Sequence, residues 1–140
     1  MYHLRILSIG KTKEPWLEQA LDEYLKRLQP VLSVEFVWAK NDLQLVGLAS
    51  KESALICLDA EGKLMNSAQF STFILKEFEK AGSHLSLVIG GAEGLPQILK
   101  GKYPLISLSP LTFTHQMVRL IVLEQIYRAL EIARGSRYHK

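Results

Sequence analysis

The fold is decided by the stretch Leu87-Val88-Ile89-Gly90-Gly91-Ala92-Glu93-Gly94-Leu95-Pro96. Its apolar beginning predicts a buried strand, which three glycines around one carboxylate then interrupt. Glycines after a strand permit positive φ and let a ligand approach the main chain, and ligands of open α/β sheets bind at the carboxyl ends of strands. The stretch predicts either a ligand-binding turn or a tight turn that only needs glycine, and this segment alone leaves both open.

Apolar runs typical of strands alternate with helical periodicity on both sides of this stretch. Strands are predicted at 4–9, 31–38, 54–58, 85–89 and 105–108, the third closed by Asp59 and Gly62, and helices at 15–28, 43–51, 67–80, 96–100 and 115–134. This alternation predicts an α/β fold with a mostly parallel sheet of five or six strands and helices on both faces. Because the composition does not shift along the chain, residues 1–140 are expected to form a single domain.

The composition excludes several classes of protein. Charged residues make up 22% of the chain, as in ordinary globular domains. The apolar start contains His3 and Arg5, which a signal peptide would lack, and no run is long enough to cross a bilayer, so a cytoplasmic protein without a membrane partner is expected. Cys57 is the only cysteine and lies in an apolar run, which excludes an internal disulfide and indicates a core position.

Two segments of the chain resemble phosphate-binding motifs, but both motifs are incomplete. Gly10-Lys11-Thr12 resembles the end of a P-loop, yet Arg5 stands where that loop requires glycine. The glycines of Gly90–Gly94 have the wrong spacing for a dinucleotide fingerprint and follow the fourth predicted strand instead of the first. Because both phosphate-binding motifs are incomplete, a ligand without phosphates is expected. The motifs of zinc hydrolases and serine hydrolases are also lacking, and no metal is expected.

The last predicted helix is apolar over more than one stripe, so it is expected to be buried on more than one side. A homodimer seam is favoured over complete burial within one chain. Glu124, Arg128 and Glu131 lie close together around this helix, and their mixed charges indicate a solvent-exposed edge.

His115 and Arg119 share another face of this helix, at its N-terminus. The helix dipole disfavours cations at that end, so the pair indicates an anionic partner. A structural ion pair of Arg119 with Glu93 or Asp59 is the alternative, and the residues leave both open.

The C-terminal end is basic. Residues 119–140 carry five Lys or Arg side chains against two carboxylates, an excess of three that equals the net charge of the whole chain. With Tyr138 and His139, this end suits a phosphate backbone with a base to stack on. A solvated, frayed tail is the alternative.

Ordered motifs cover essentially the whole chain. They are Leu58-Asp59-x-x-Gly62, Ile89-Gly90-Gly91-x-Glu93-Gly94, Ser109-x-Leu111-Thr112 leading into His115-Gln116-x-x-Arg119, Glu124-Gln125-x-Tyr127-Arg128-Ala129 and a terminal Tyr138-His139. In this order they resemble the ribosomal large-subunit pseudouridine N3-methyltransferases, the RlmH group of the SPOUT class. The resemblance implies S-adenosylmethionine as cofactor, a homodimer, and a trefoil knot in the C-terminal half of the sheet.

The resemblance also implies a reaction and its residues. The reaction is methylation of N3 of a pseudouridine in a hairpin loop of large-subunit (23S) ribosomal RNA; the assembled ribosome is the favoured substrate, and free rRNA is the alternative left open. The implied cofactor contacts are Leu58, Gly91, Ser109, Pro110, Leu111, Thr112, Phe113 and Thr114. His115 or Glu93 is expected near the N3 proton and Arg119 near the anionic ring, while Arg137, Tyr138 and His139 are expected to bind the RNA.

The chain departs from the family pattern at two places. Thr114 stands where the family has proline, and the segment around 40–50 is short. Two rival functions remain: a non-catalytic dimeric RNA-binding protein that uses the basic tail, and a nucleotide hydrolase built on Gly10-Lys11-Thr12 and Asp59.

Overall fold

A computed structural model describes all residues 1–140, in which five strands alternate with five helices. The elements in chain order are β1 (Tyr2–Ile9), α1 (Pro15–Leu28), β2 (Leu32–Ala39), α2 (Asp42–Ala49), β3 (Leu55–Leu64), α3 (Ser67–Lys80), β4 (His84–Ile89), α4 (Gln97–Lys100), β5 (Leu105–Ser107) and α5 (His115–Arg134). The predicted bounds of α1, α3 and α5 are confirmed, because a proline start and Asn66 and Thr114 caps mark their beginnings in the sequence.

The five strands form one parallel sheet in the order β2-β1-β4-β3-β5. β4 lies at its centre, and five of its six residues are buried, which is why this strand reads as a continuous apolar run. The α/β class and the five-stranded parallel sheet are therefore confirmed. Since all strands run in one direction, their carboxyl ends meet at one edge of the sheet.

Helices cover both faces of the sheet, as predicted. The larger core lies between the sheet and α1, α3 and α5, with Ile6, Ile56 and Leu87 contributed by the strands. The smaller core lies on the opposite face, under α2 and α4, and includes Cys57, which is fully buried as expected. Burial raises the pKa of the Cys57 thiol to about 11, with the Asp59 carboxylate adding to it, so the thiol is inert at neutral pH.

The predicted end of the third strand is wrong. β3 does not close at Asp59 but continues to Leu64, with a register shift in which Ile106 pairs first with Leu58 and then with Lys63. Gly62 permits this close approach, because a Cβ there would stand 2.6 Å from the carbonyl carbon of Ile106. Backbone groups pair β3 with β5 whatever side chains the strand carries. The polar side chains of this segment led the sequence to predict a turn here.

α5 packs against α3 and α1 on the larger core. Thr114 caps it by accepting a hydrogen bond from the Met117 amide at 3.2 Å, and Gly135 ends it in the left-handed conformation with φ 75°. No helix of the chain has the length and apolarity needed to cross a membrane. The trefoil knot stays a prediction, with which the sheet order is consistent.

Candidate active site

A cleft of about 200 Å³ lies at the carboxyl ends of β3, β4 and β5, and we call it the strand-end cleft. Three segments form its walls: the bulged part of β3, the glycine turn after β4 and the loop between β5 and α5. Six of the eight residues expected to contact a cofactor line it, namely Leu58, Gly91, Ser109, Leu111, Thr112 and Phe113. Pro110 and Thr114 do not line it; Thr114 is occupied as the cap of α5.

The glycine turn after β4 is closed by one hydrogen bond, from the Gly94 amide to the Gly91 carbonyl at 2.9 Å. Gly94 has φ 89°, a conformation that favours glycine. A Cβ on Gly90 would stand 2.5 Å from the carbonyl carbon of Gly94 and from the Leu95 nitrogen, whereas one on Gly91 would meet only the Ile9 side chain, at 3.1 Å. The close approach therefore depends on Gly90 more than on Gly91, the glycine that the motif comparison singled out.

The loop between β5 and α5 presents apolar surface to the strand-end cleft. Ser109 shapes this loop, because its hydroxyl accepts from the Leu111 amide at 3.0 Å and its carbonyl accepts from the Ser107 hydroxyl at 3.1 Å. Leu111 is 70% exposed and Phe113 is 39% exposed. Large apolar side chains held open beside a cleft suit a flat apolar ligand group.

The expected cofactor set left out several residues of the cleft. These are Asp59, Ala60, Ile89, Gly90, Ala92, Gly94, Leu95, Ser107, Leu108 and Val118. Asp59 was within reach of sequence reasoning, since it belongs to the Leu-Asp-x-x-Gly motif; its carboxylate lies 3.7 Å from the Lys100 ammonium. The sequence could not show that the apolar residues line the cleft, because this depends on which strand ends lie next to one another in the sheet.

His115 is the first residue of α5 and lines the strand-end cleft. Burial lowers the pKa of its imidazole, and the positive charges of Arg119 and Lys13 lower it further. The ring is therefore neutral at neutral pH and has a free nitrogen lone pair for a proton. Glu93, the other candidate for the proton, is exposed and does not line the cleft.

Arg119 is fully buried, one turn beyond His115 on α5. Its guanidinium donates five hydrogen bonds, to the Ser8 hydroxyl (3.1 Å), the Thr12 hydroxyl (3.0 Å), the Gln116 amide oxygen (3.1 Å) and the carbonyls of Ile9 (2.7 Å) and Gly10 (2.5 Å). It also lies over the Trp38 ring, 4.5 Å from the centroid. Burial lowers the pKa of Arg119 to about 10, so the group stays charged at neutral pH.

These contacts bear on the two interpretations left open for Arg119, a structural ion pair and an anionic partner. Neither Glu93 nor Asp59 is among its partners, so the alternative of a structural ion pair with either carboxylate is wrong. Within the chain, neutral dipoles hold the guanidinium, which fastens α5 to the loop between β1 and α1, and the anionic partner of Arg119 stays a prediction. Arg119 does not line the strand-end cleft.

The C-terminal tail folds back onto α5 instead of fraying into solvent. The Tyr138 hydroxyl donates to Glu124 at 2.7 Å and lies 3.4 Å from the Tyr24 hydroxyl. Arg128 stacks on the Tyr138 ring, 4.9 Å from its centroid, and lies 3.0 Å from Nδ1 of His139. Arg137 is exposed.

Glu124 and Arg128 are therefore not the solvated edge that the sequence predicted. They form a salt bridge of 2.7 Å with side chains only 20% and 25% exposed. Burial raises the pKa of Glu124, but hydrogen bonds from Arg128 and Tyr138 outweigh it and hold the pKa below its ordinary value. The pair anchors the tail, and no pattern within the helix could reveal a contact with residues fourteen positions away.

The anchored tail and the strand-end cleft lie on different sides of α5. Glu124 follows His115 by nine residues, which corresponds to roughly 14 Å along the helix axis and to about half a turn around it. The structure thus brings His115 and the expected cofactor residues together, and it keeps Tyr138 and His139 of the same chain apart from them.

The family model described as predicted SPOUT methyltransferase matches residues 2–139. The ribosomal RNA large subunit methyltransferase H of Protochlamydia amoebophila is 59% identical over 140 residues, covering all of both chains. The protein of the same name from Geotalea daltonii is 35% identical, covering 97% of this chain and 98% of its own.

Solved structures share the fold at low sequence identity. TrmJ from Z. mobilis ZM4 superimposes with a TM-score of 0.55 at 7% identity, over 92% of this chain and 70% of that chain. A methyltransferase of Legionella pneumophila with bound S-adenosylmethionine gives 0.51 at 12% identity, over 92% and 66%. These findings confirm the resemblance inferred from the motifs: the chain belongs to the SPOUT methyltransferase family.

Proposed function

We propose that this chain is an S-adenosylmethionine-dependent methyltransferase that methylates N3 of a pseudouridine in a hairpin loop of 23S rRNA. One observation carries the proposal: six residues of the expected cofactor set, distant in sequence, line a single cleft at the carboxyl ends of three parallel strands. The full-length identity of 59% to a protein named for the large-subunit RNA supports the ribosomal substrate. Ribosomes place the reaction in the cytoplasm.

The strand-end cleft suits the cofactor chemically. Leu58 and Leu111 both line the cleft and would offer apolar surface to an adenine, and backbone groups of the glycine turn and of the loop after β5 could bond its edge. When bound, S-adenosylmethionine supplies an activated methyl group on a sulfonium. The chain would hold N3 in line with that methyl group, so that the bond to N3 would form as the sulfur–methyl bond breaks and S-adenosylhomocysteine leaves, and positioning would supply much of the rate.

The N3 proton must leave during transfer, and His115 is the group placed to take it. It is neutral at neutral pH and lines the cleft, whereas Glu93 is exposed and lies outside it. Arg119 acts as a positioning residue: it holds Gln116 and the loop after β1, and thereby the start of α5 that carries His115. It therefore does not need to touch the anionic ring itself.

If His115 accepts the N3 proton as a general base, kcat/KM should depend on the protonation of its imidazole. The pKa of His115 lies below its ordinary value of about 6.5, so activity should stay high down to that pH and fall only as the imidazole becomes protonated below it. His115→Gln should lower the rate by about 100-fold or more and remove this acidic limb. Rates measured between pH 5 and 8 on stable protein check this; an unchanged limb in the variant contradicts the assignment.

We further propose that the C-terminal tail of one chain contacts the RNA bound at the strand-end cleft of a second copy. Met117, Ile121 and Ile132 form a half-buried apolar stripe on α5, beside Arg128 and the anchored tail. A partner seated on this stripe in antiparallel orientation would bring its own tail towards the strand-end cleft. Arg137, Tyr138 and His139 would then contact RNA bound at the partner's cleft.

Mixed dimers test this arrangement. A His115→Ala chain and a Tyr138→Ala chain are each expected to be nearly inactive alone. After mixing, one site of each mixed dimer has an intact His115 and an intact tail from its partner, so about a quarter of the wild-type activity should return. Activity no higher than the mean of the two separate variants would place each tail at its own cleft and contradict the arrangement.

Methyl transfer to ribosomes tests the proposed function as a whole. Labelled S-adenosylmethionine should label 23S rRNA in ribosomes that carry the pseudouridine, and not in ribosomes that retain uridine there. Equal labelling of both would assign a different target base, and labelling of neither would contradict the activity. Isolated 23S rRNA, tried in parallel, distinguishes the assembled ribosome from free RNA as substrate.

A further inference from the structure

A second cleft, of about 620 Å³, adjoins the strand-end cleft, and we call it the side cleft. The two share the border formed by Gly91, Ala92, Thr112, Phe113 and His115. Resting on the proposed function, we infer that the side cleft receives the target nucleobase, flipped out of its loop, and that Trp16 is the ring on which this base stacks. Enzymes that modify bases take them out of the stack and hold them against aromatic side chains.

Trp16 is a preorganised aromatic surface. It is the second residue of α1 and is 54% exposed, whereas tryptophan side chains are on average highly buried. Pro15 fixes the backbone before it, and the adjacent Leu17 is buried to 1% exposure, so the helix start cannot rotate. The ring is therefore presented at the side cleft by a rigid backbone, at small entropic cost for stacking.

Two cations lie in the loop that leads into the wall of the side cleft formed by Glu14 and Trp16. Lys11 and Lys13 are exposed in the loop before α1. Gln116 holds this loop against α5, since its amide donates to the Lys11 carbonyl at 3.3 Å and its oxygen accepts from Arg119 at 3.1 Å. Lys13 directly precedes Glu14, which lines the side cleft. Positive groups beside an aromatic surface are the usual combination for an unpaired nucleotide.

The chemistry of the shared border also fits a base in the side cleft. His115 is the only titratable side chain that lines both clefts; Asp59 belongs to the strand-end cleft alone and Glu14 to the side cleft alone. A base stacked on Trp16 would face a methyl donor across this border, with His115 between them. Glu14 is the acidic member of the side cleft and could accept a hydrogen bond from a second N–H group of the base.

Trp16→Ala and Trp16→Phe, compared with Ile98→Ala, test the inference. Ile98 is 58% exposed on α4 and lines neither cleft. We expect Trp16→Ala to raise KM for ribosomes by roughly 5- to 150-fold, Trp16→Phe to recover most of the loss, and Ile98→Ala to have no effect. Calorimetric affinity for S-adenosylmethionine should be the same in all four proteins.

A second measurement separates this inference from the proposed function. Binding of an oligoribonucleotide hairpin that contains pseudouridine should quench the tryptophan fluorescence of the wild type, and Trp16→Phe should lose most of this quenching. Quenching without any methyl transfer by the wild type would uphold the side cleft and overturn the activity. An unchanged KM in Trp16→Ala, or a KM change accompanied by dissociation of the dimer in sedimentation, would overturn the role of Trp16.

Discussion

Arg119→Ala is expected to lower the free energy of unfolding by about 3–5 kcal/mol. The substitution leaves the partly buried carbonyls of Ile9 and Gly10 without the donor that Arg119 supplies, removes the partner of the Ser8 hydroxyl and opens a void under Trp38. Each buried acceptor left unpaired costs on the order of 1–3 kcal/mol, and the void adds to this cost. Urea denaturation followed by circular dichroism measures the loss.

Two further variants make this expectation specific. Arg119→Lys keeps the charge but has three donors on a point-like ammonium, so it should recover only part of the stability. Arg137→Ala removes an exposed arginine and should change the free energy of unfolding by less than about 0.5 kcal/mol. A loss below about 1 kcal/mol in Arg119→Ala would mean that the fastening of α5 to the loop after β1 is not structural.

Gly90→Ala is expected to lower the methyl-transfer rate by about 100-fold, through displacement of the glycine turn. The new Cβ would stand 2.5 Å from backbone atoms of Gly94 and Leu95, which cannot give way as a side chain can. Gly91→Ala is the matched control, because its Cβ meets only the Ile9 side chain at 3.1 Å and a shift of a few tenths of an ångström relieves the contact.

The test measures the methyl-transfer rate, the cofactor affinity and the urea midpoint of both glycine variants. Rates and cofactor affinity should fall steeply in Gly90→Ala and much less in Gly91→Ala, while the urea midpoints of both remain well above zero. Equal losses in both variants, or a larger loss in Gly91→Ala, would contradict the geometry of the turn and return the critical role to Gly91.

Local patterns predicted the elements well where side chains decide them. Pro15 and the apolar periodicity after it were enough to bound α1, and the cap and apolar breadth of the last helix bounded α5. The predicted third strand ended too early, because backbone groups make the pairing of Lys63 and Leu64 with β5. The side chains of Asp59 and Glu61 give no indication of this pairing.

The site was only partly predictable for a related reason. Motif comparison found Leu58, Ser109 and the neighbouring loop, but the helix-dipole argument for Arg119 assumed an anionic partner. Within the chain, the guanidinium is held by carbonyls more than a hundred residues away in sequence, which no local pattern can show. The contact of Tyr138 with Glu124 is hidden in the same way.

Calorimetric titration of the wild-type protein with S-adenosylmethionine tests most directly whether the strand-end cleft is a methyl-donor site. One molecule should bind per chain, with a saturable heat that Gly90→Ala strongly reduces. Magnesium-ATP, titrated in parallel, should give no binding, because Arg5 replaces the glycine that a phosphate loop requires. Absence of S-adenosylmethionine binding together with retained affinity for ribosomal RNA would contradict the methyltransferase and leave a passive RNA-binding protein.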